Sequence, residues 1–337
     1  MKVKTIAMRF NVNPTVGFGH FVRCNEIAYH LKKSDCNVIA ILDQYSSIST
    51  NSPIFFDNTF TLPTEQDALS TAEICVAQKA EALLVDHYHC DQNYQEQLNR
   101  YPLYWGQFDY KCSGSYLGDF LININLTATS AWYNDCQLSK KTSLLLGCKY
   151  AVIKHALTEL PANTSSEHNG NIFFSLGAGN DNDLYQTIAP LLLTLPSLKN
   201  LHLCCSSTCQ SIGFLRVLAK KNTKLKLHIN SNNIEKVMQQ CTFGVISGGT
   251  LTYELATLGI PFACGYVAAN QIKLCQGWHQ KRSMLNLGDL SQFSVDDLQP
   301  IEQQITKINL SQLKQSVMND NDGLGASRIA QQLVEAK

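Results

Sequence analysis

Short apolar runs rich in valine, isoleucine and leucine alternate with stretches of helical periodicity along almost the whole chain. Residues 3–10 predict a first strand, and 19–33 a helix with Ile27, Ala28 and Leu31 on one face. Strands are expected at 37–42, 82–85, 103–108 and 117–124, and helices at 66–79 and 92–99. Pro53 and Pro63 frame a loop with a short strand at 54–56. The region 134–171 changes character, and its polar stretch 161–170 is the best linker in the chain. A second series follows, with strands at 171–176, 201–205, 225–229, 243–246 and 261–264. Its helices are expected up to about 195 and at 209–220, 233–240, 251–258 and 269–285, and the tail 312–335 carries one or two more. Such alternation argues for an α/β fold with parallel sheets covered on both faces. The prediction is two doubly wound, Rossmann-like domains, 1–155 and 156–337, with the final helix able to pack back on the first. Ligands of such sheets bind outside the carboxyl ends of the strands, and facing domains would form a cleft.

Charge narrows the partners. Lys+Arg and Asp+Glu both number 27, so a basic excess suited to nucleic acid or an anionic membrane is absent. No apolar run approaches the ~18–20 residues that span a bilayer. Arg9 interrupts the first apolar run, unlike a secretory signal. The expectation is a cytoplasmic protein, a monomer, acting on a small molecule. The 13 cysteines include no CxxC pair. They read as small buried hydrophobes in a reducing compartment rather than zinc ligands or disulfides.

Candidate chemistry gathers at the ends of strands. Gly17-x-Gly19-His20 joins the first strand to the first helix. Two glycines allow a tight turn and a close ligand, and His20 reads either as catalytic or as a polar residue at a helix start. Ser247-Gly248-Gly249-Thr250 joins a strand to a helix that carries Glu254 about one turn on. It reads as a phosphate cradle followed by a carboxylate able to bind a ribose diol, or as a glycine-hinged turn with a surface glutamate. Asp86, in Asp86-His87-Tyr88-His89, can orient an imidazole or cap the next turn. Gly177 opens the first turn of the second domain, whose backbone donors suit a phosphate or sugar. The amides of Asn270 and Gln271 suit sugar hydroxyls or are ordinary loop residues.

Taken in order, these pieces resemble the hydrolases of pseudaminic acid synthesis and the related spore-coat polysaccharide proteins of the GT-B superfamily. The pieces are Gly17-Phe18-Gly19-His20-x-x-Arg23-Cys24, Val85-Asp86-His87-Tyr88, Leu146-Gly147-x-Lys149-Tyr150-Ala151, and Ser247-Gly248-Gly249-Thr250-x-x-x-Glu254 with Gly259-Ile260-Pro261 and Asn270-Gln271. The resemblance implies a metal-independent, cofactor-free hydrolase acting on UDP-2,4-diacetamido-2,4,6-trideoxy-β-L-altropyranose. The anomeric C–O bond would break with inversion. It implies that His20 activates water, that Ser247 to Thr250 hold the diphosphate, and that Glu254 binds the ribose. Asn270 and Gln271 would lie near the sugar and phosphates, and Tyr88 would line the sugar site. Gly17, Gly19, Arg23, Asp86 and Gly177 complete the expected substrate-binding set. Imidazole titrates near ~6.5, which suits a base at working pH. The chain departs from the family at Asn11, Asp109-Tyr110, Val152-Ile153-Lys154-His155-Ala156 and Gly177-Ala178-Gly179, where the sugar should sit. Two other functions remain: a GT-B glycosyltransferase with an acceptor other than water, and a non-catalytic nucleotide-sugar-binding protein.

Overall fold

A computed structural model describes residues 3–13, 16–48, 53–63, 66–109, 111–160, 168–177, 183–231, 233–282, 284–307, 310–319 and 321–335. The chain forms two units, Met1–Lys154 with Gly323–Lys337, and His155–Asp322. Both are α/β and Rossmann-like, each built on a parallel sheet.

The first unit contains β1 (Thr5–Phe10), α1 (Gly19–Lys32), β2 (Asn37–Asp43), β3 (Asn58–Leu62), α2 (Asp67–Ala77), β4 (Ala80–Asp86), α3 (Gln92–Leu98) and β5 (Tyr104–Phe108). It continues through β6 (Ser115–Tyr116), β7 (Phe120–Asn123), β8 (Gln137–Leu138) and β9 (Ser143–Leu146). Seven strands form one parallel sheet in the order β3-β2-β1-β4-β5-β7-β9. The inner strands are apolar on both faces because helices cover both, as expected for a parallel sheet. The chain's last helix, Gly325–Val334, packs here rather than on the second unit. Gly325 makes the approach possible: a Cβ there would sit 2.1 Å from the Ala151 carbonyl oxygen. Arg328 Nη1 donates to Lys149 O at 2.8 Å, and Lys4 Nζ to Val334 O at 2.7 Å.

The second unit contains α4 (His155–Thr158), β10 (Asn171–Ser175), α5 (Leu184–Leu192), β11 (Asn200–Cys205), α6 (Ile212–Lys221), β12 (Leu225–Ile229), α7 (Ile234–Gln239) and β13 (Phe243–Ser247). Then come α8 (Leu251–Thr257), β14 (Phe262–Tyr266), α9 (Ile272–Arg282), β15 (Leu285–Asp289), α10 (Leu298–Lys307) and α11 (Leu310–Met318). Its parallel sheet has the order β12-β11-β10-β13-β14-β15. No helix among the described residues is long and apolar enough to cross a membrane.

Three expectations are corrected, mainly at sheet edges. The strand expected at 54–56 lies instead at β3. The apolar 54–56 run passes beside α1, where Asn25 Nδ2 donates to Pro53 O and Asn25 Oδ1 accepts from Phe55 N. The helix expected to run to 285 ends as α9 at Arg282, and Leu285 opens edge strand β15, where Leu285 and Leu287 alternate onto the core. The α10 helix was not foreseen. The linker at 161–167 and the turn beyond Gly177 lie outside the described residues.

Asp109, one of the points where the chain departs from the family, is buried. Its Oδ1 and Oδ2 accept from Tyr116 Oη and Tyr133 Oη, each at 2.7 Å, and its carboxylate also accepts from the Lys111 and Cys112 N–H groups. These bonds pin a small lobe with its own apolar cluster. Asp109→Ala strips an acceptor from two phenols and two amides. The expected cost is about 3 kcal/mol, read as a lower urea midpoint with nucleotide affinity unchanged. An unchanged midpoint would show that the lobe holds without this carboxylate.

Candidate active site

The first site is built where the strand order of the first unit reverses. β1 and β4 are neighbours, with Phe10 opposite Asp86, and the chain winds outward from them in both directions. Doubly wound sheets bind ligands at the carboxyl ends of strands at this switch point. The turn after β1 passes through Gly17, whose φ of +83° would strain a side chain, and whose N–H donates to Asn13 O at 2.7 Å. Gly19 begins α1, and a Cβ on either glycine would meet nothing within 4 Å. His20 follows, 3% exposed.

Asp86 ends β4 and is 0% exposed. Its Oδ1 lies 2.8 Å from His20 Nδ1. Arg23, one turn along α1, donates Nε to Oδ2 at 2.8 Å and Nη2 to Oδ1 at 2.7 Å. The guanidinium lies 4.2 Å from the centroid of the Phe108 ring at the end of β5. A carboxylate only accepts, so the 2.8 Å contact with Asp86 Oδ1 is made by a hydrogen on His20 Nδ1. In a neutral ring with its hydrogen on Nδ1 the lone pair is on Nε2. Burial alone would raise the Asp86 carboxyl. Arg23 and His20 outweigh it and hold the carboxyl well below the usual range, so Asp86 is an anion at working pH. The Tyr88 ring meets the imidazole edge-on, with centroids 4.8 Å apart.

Asp86 and Arg23, expected to bind substrate, are thus turned on each other and on His20. Asp86 is fully buried against the imidazole. It does not cap the next helix either, since Asp91 accepts from Tyr94 N at 2.8 Å to cap α3. Sequence reasoning missed Phe108 and Cys24, whose Sγ is 3.7 Å from Asp86 Oδ2. It also missed the network on the other face of β1. There buried Arg9 pairs with Asp67, donates to Phe10 O at 2.7 Å and bonds Asn11 Oδ1. The sequence signal for that network was a lone arginine inside an apolar strand, which needs a buried acceptor.

The second site lies at the matching reversal of the other sheet, between β10 and β13. Gly177, with φ +83°, follows β10, and Ser247-Gly248-Gly249-Thr250 follows β13. Ser247 Oγ donates to Leu176 O at 3.0 Å and ties the two turns together. The cradle is narrower than the sequence indicated. Gly248 N donates to Gly265 O at 2.7 Å, and Gly249 N to Ser247 O at 2.8 Å. Thr250 is exposed, and at the start of α8 Thr252 N donates to Gly249 O at 3.1 Å while Tyr253 N and Glu254 N donate to Thr250 O at 3.0 and 3.1 Å. Gly248 is set by packing, since a Cβ there would lie 2.3 Å from Cys275 Sγ. Glu254 is buried within α8 rather than on the surface. Asn270 is exposed, while Gln271 Oε1 accepts from Val267 N at 2.9 Å and so serves the loop. Of the 13 thiols, ten are buried and three half-buried.

No protein-family model and no curated protein matches this chain. Solved structures do match in fold. The chain is similar to MurG of Acinetobacter baumannii at 11% identity and a TM-score of 0.69, over 99% of this chain and 100% of that one. It is similar to a glycosyltransferase of Rickettsia africae at 10% identity and a TM-score of 0.64, over 100% of both chains. A UDP-N-acetylglucosamine 2-epimerase matches at 11% identity and a TM-score of 0.58, over 99% of this chain and 96% of that one. At these identities the likeness shows the shared fold.

Proposed function

We propose that this chain is a UDP-sugar hydrolase that uses His20 as its base. The observation that carries the reading is the buried Asp86–His20–Arg23 cluster at the carboxyl end of β1 and β4. It holds an imidazole in the tautomer that takes a proton on Nε2. Water attacks the anomeric carbon, and its proton passes to Nε2. The C–O bond breaks, and its electron pair leaves with UDP. UDP leaves readily when the positive end of the α8 dipole and the exposed Thr250 stabilise the diphosphate charge, so one base suffices. The order of motifs favours UDP-2,4-diacetamido-2,4,6-trideoxy-β-L-altropyranose as substrate, in pseudaminic acid synthesis. The enzymes of similar fold, whose names include glycosyltransferases and a UDP-N-acetylglucosamine 2-epimerase, support a nucleotide-sugar substrate in general.

A second reading is a glycosyltransferase with an apolar acceptor. It is favoured by three exposed side chains that follow the carboxyl ends of β1, β2 and β4: Phe18 at 43%, Tyr45 at 67% and Tyr88 at 45% exposure. UDP release from the purified protein and the UDP-sugar, with no acceptor present, decides between them. Release beyond the spontaneous rate supports the hydrolase. Binding without release sinks it, and release that appears only on adding an acceptor favours the transferase. Glu254→Ala should mainly weaken nucleotide binding, seen by calorimetry, with turnover at saturation kept within a few-fold. A collapse of saturated turnover would remove the ribose role.

A further inference from the structure

We propose that Arg23 keeps His20 in its neutral, base-competent form by cancelling the charge of Asp86. The inference rests on the base role given to His20. A buried carboxylate against an imidazole favours the imidazolium, and an imidazolium cannot accept a proton. Here the same Oδ1 that meets His20 Nδ1 at 2.8 Å accepts Arg23 Nη2 at 2.7 Å, and Arg23 Nε covers Oδ2 at 2.8 Å. Nη2 also stands 3.2 Å from His20 Nδ1, so the cation lies nearly as close to the ring as the anion. The Phe108 ring, 4.2 Å from the guanidinium carbon, fixes the plane of the fork. Lysine at 23 would keep the charge but not cover both oxygens with one planar group.

The other described groups around this cluster add no charge near neutrality. Burial raises the Tyr88 phenol, with Asp86 adding to the rise and Arg23 opposing it. Burial likewise raises the Cys24 thiol beside Asp86 Oδ2. Phe108 is neutral. Two opposite charges, Asp86 on β4 and Arg23 on α1, meet the ring at Nδ1. The arrangement differs from an isolated carboxylate–imidazole pair. Asp86 still orients the ring through Nδ1, but its negative field at the ring is offset.

NMR of the full-length protein with 15N-labelled histidine can follow the His20 ring through a pH titration without substrate. Arg23→Gln removes the cation, and the titration midpoint should rise by about one pH unit or more relative to wild type. Asp86→Asn leaves the cation facing the ring, and the midpoint should fall by a similar amount. Arg23→Lys should stay closer to wild type than Arg23→Gln. An unmoved midpoint in Arg23→Gln, or a rise in Asp86→Asn, overturns the inference. Should Arg23→Gln fail to fold, Arg23→Met, which keeps an apolar stem against Phe108 and also removes the cation, takes its place, and an unmoved midpoint there overturns the inference. UDP release by the wild type is a separate readout. A protein that releases no UDP loses the proposed function, yet the midpoints still decide whether Arg23 offsets Asp86.

Discussion

His20→Ala is expected to lower turnover of the UDP-sugar by about 10²–10⁴-fold, the usual contribution of a positioned base. UDP affinity should stay within about two-fold, because Ser247–Thr250 and Glu254 belong to the other unit. The variant should fold. Removing the imidazole leaves Asp86 with both Arg23 bonds, so no buried charge is stranded. The split between turnover and affinity is what identifies a base. Steady-state rates with calorimetric UDP binding measure both. Added imidazole should restore part of the rate, since the space left above Asp86 suits that ring. A loss of UDP affinity as large as the loss of rate would falsify the assignment.

Gly248→Ala should weaken UDP binding by at least about ten-fold and lower thermal stability. Its new Cβ would lie 2.3 Å from Cys275 Sγ, 3.3 Å from Gln271 Cβ and 3.4 Å from Gln271 O. Cys275 is fully buried on α9 and has a short, stiff side chain, so the turn rather than the sulfur must give way. Overpacking of this kind costs about 1–3 kcal/mol, and here the strain falls on the turn that leads into α8. The neighbouring Gly249 sees nothing within 4 Å, so Gly249→Ala should bind UDP far better than Gly248→Ala. The sharper check is repair: Gly248→Ala/Cys275→Ala removes the sulfur and should regain most of the lost affinity. A double variant no better than Gly248→Ala would assign the strain to Gln271 instead. A single variant that binds like wild type would mean that the turn does not hold the diphosphate.

Both predictions combine a signal readable along the chain with one that is not. The glycine turns announce themselves locally, because a strand, a glycine pair and a helix start occur within a few residues of each other. The inner strands do so as well: 37–42 and 243–246 are continuous apolar runs, as burial on both faces demands. Edge strands are harder. β3 and β15 carry two apolar positions each, fewer than the loop run Ile54-Phe55-Phe56. The side-chain bonds of Asp109 are hidden for a related reason: Tyr116 and Tyr133 lie 7 and 24 residues further on, and no local pattern marks them.

The sequence by itself determined the α/β class, the two-domain plan and the two turns, since these depend on periodicity, strand length and glycine, all properties of neighbouring residues. Only the tertiary structure decided what His20 touches. Asp86 lies 66 positions further on and reaches the imidazole because β1 and β4 are adjacent in the sheet. Strand order arises from the packing of crossover helices on both faces, which nothing in residues 17–23 encodes. The same holds for Cys275 beneath Gly248, and for Phe108 beneath Arg23. The histidine is therefore legible as a candidate from its own turn, while its tautomer and its charge balance come from residues that the fold brings to it.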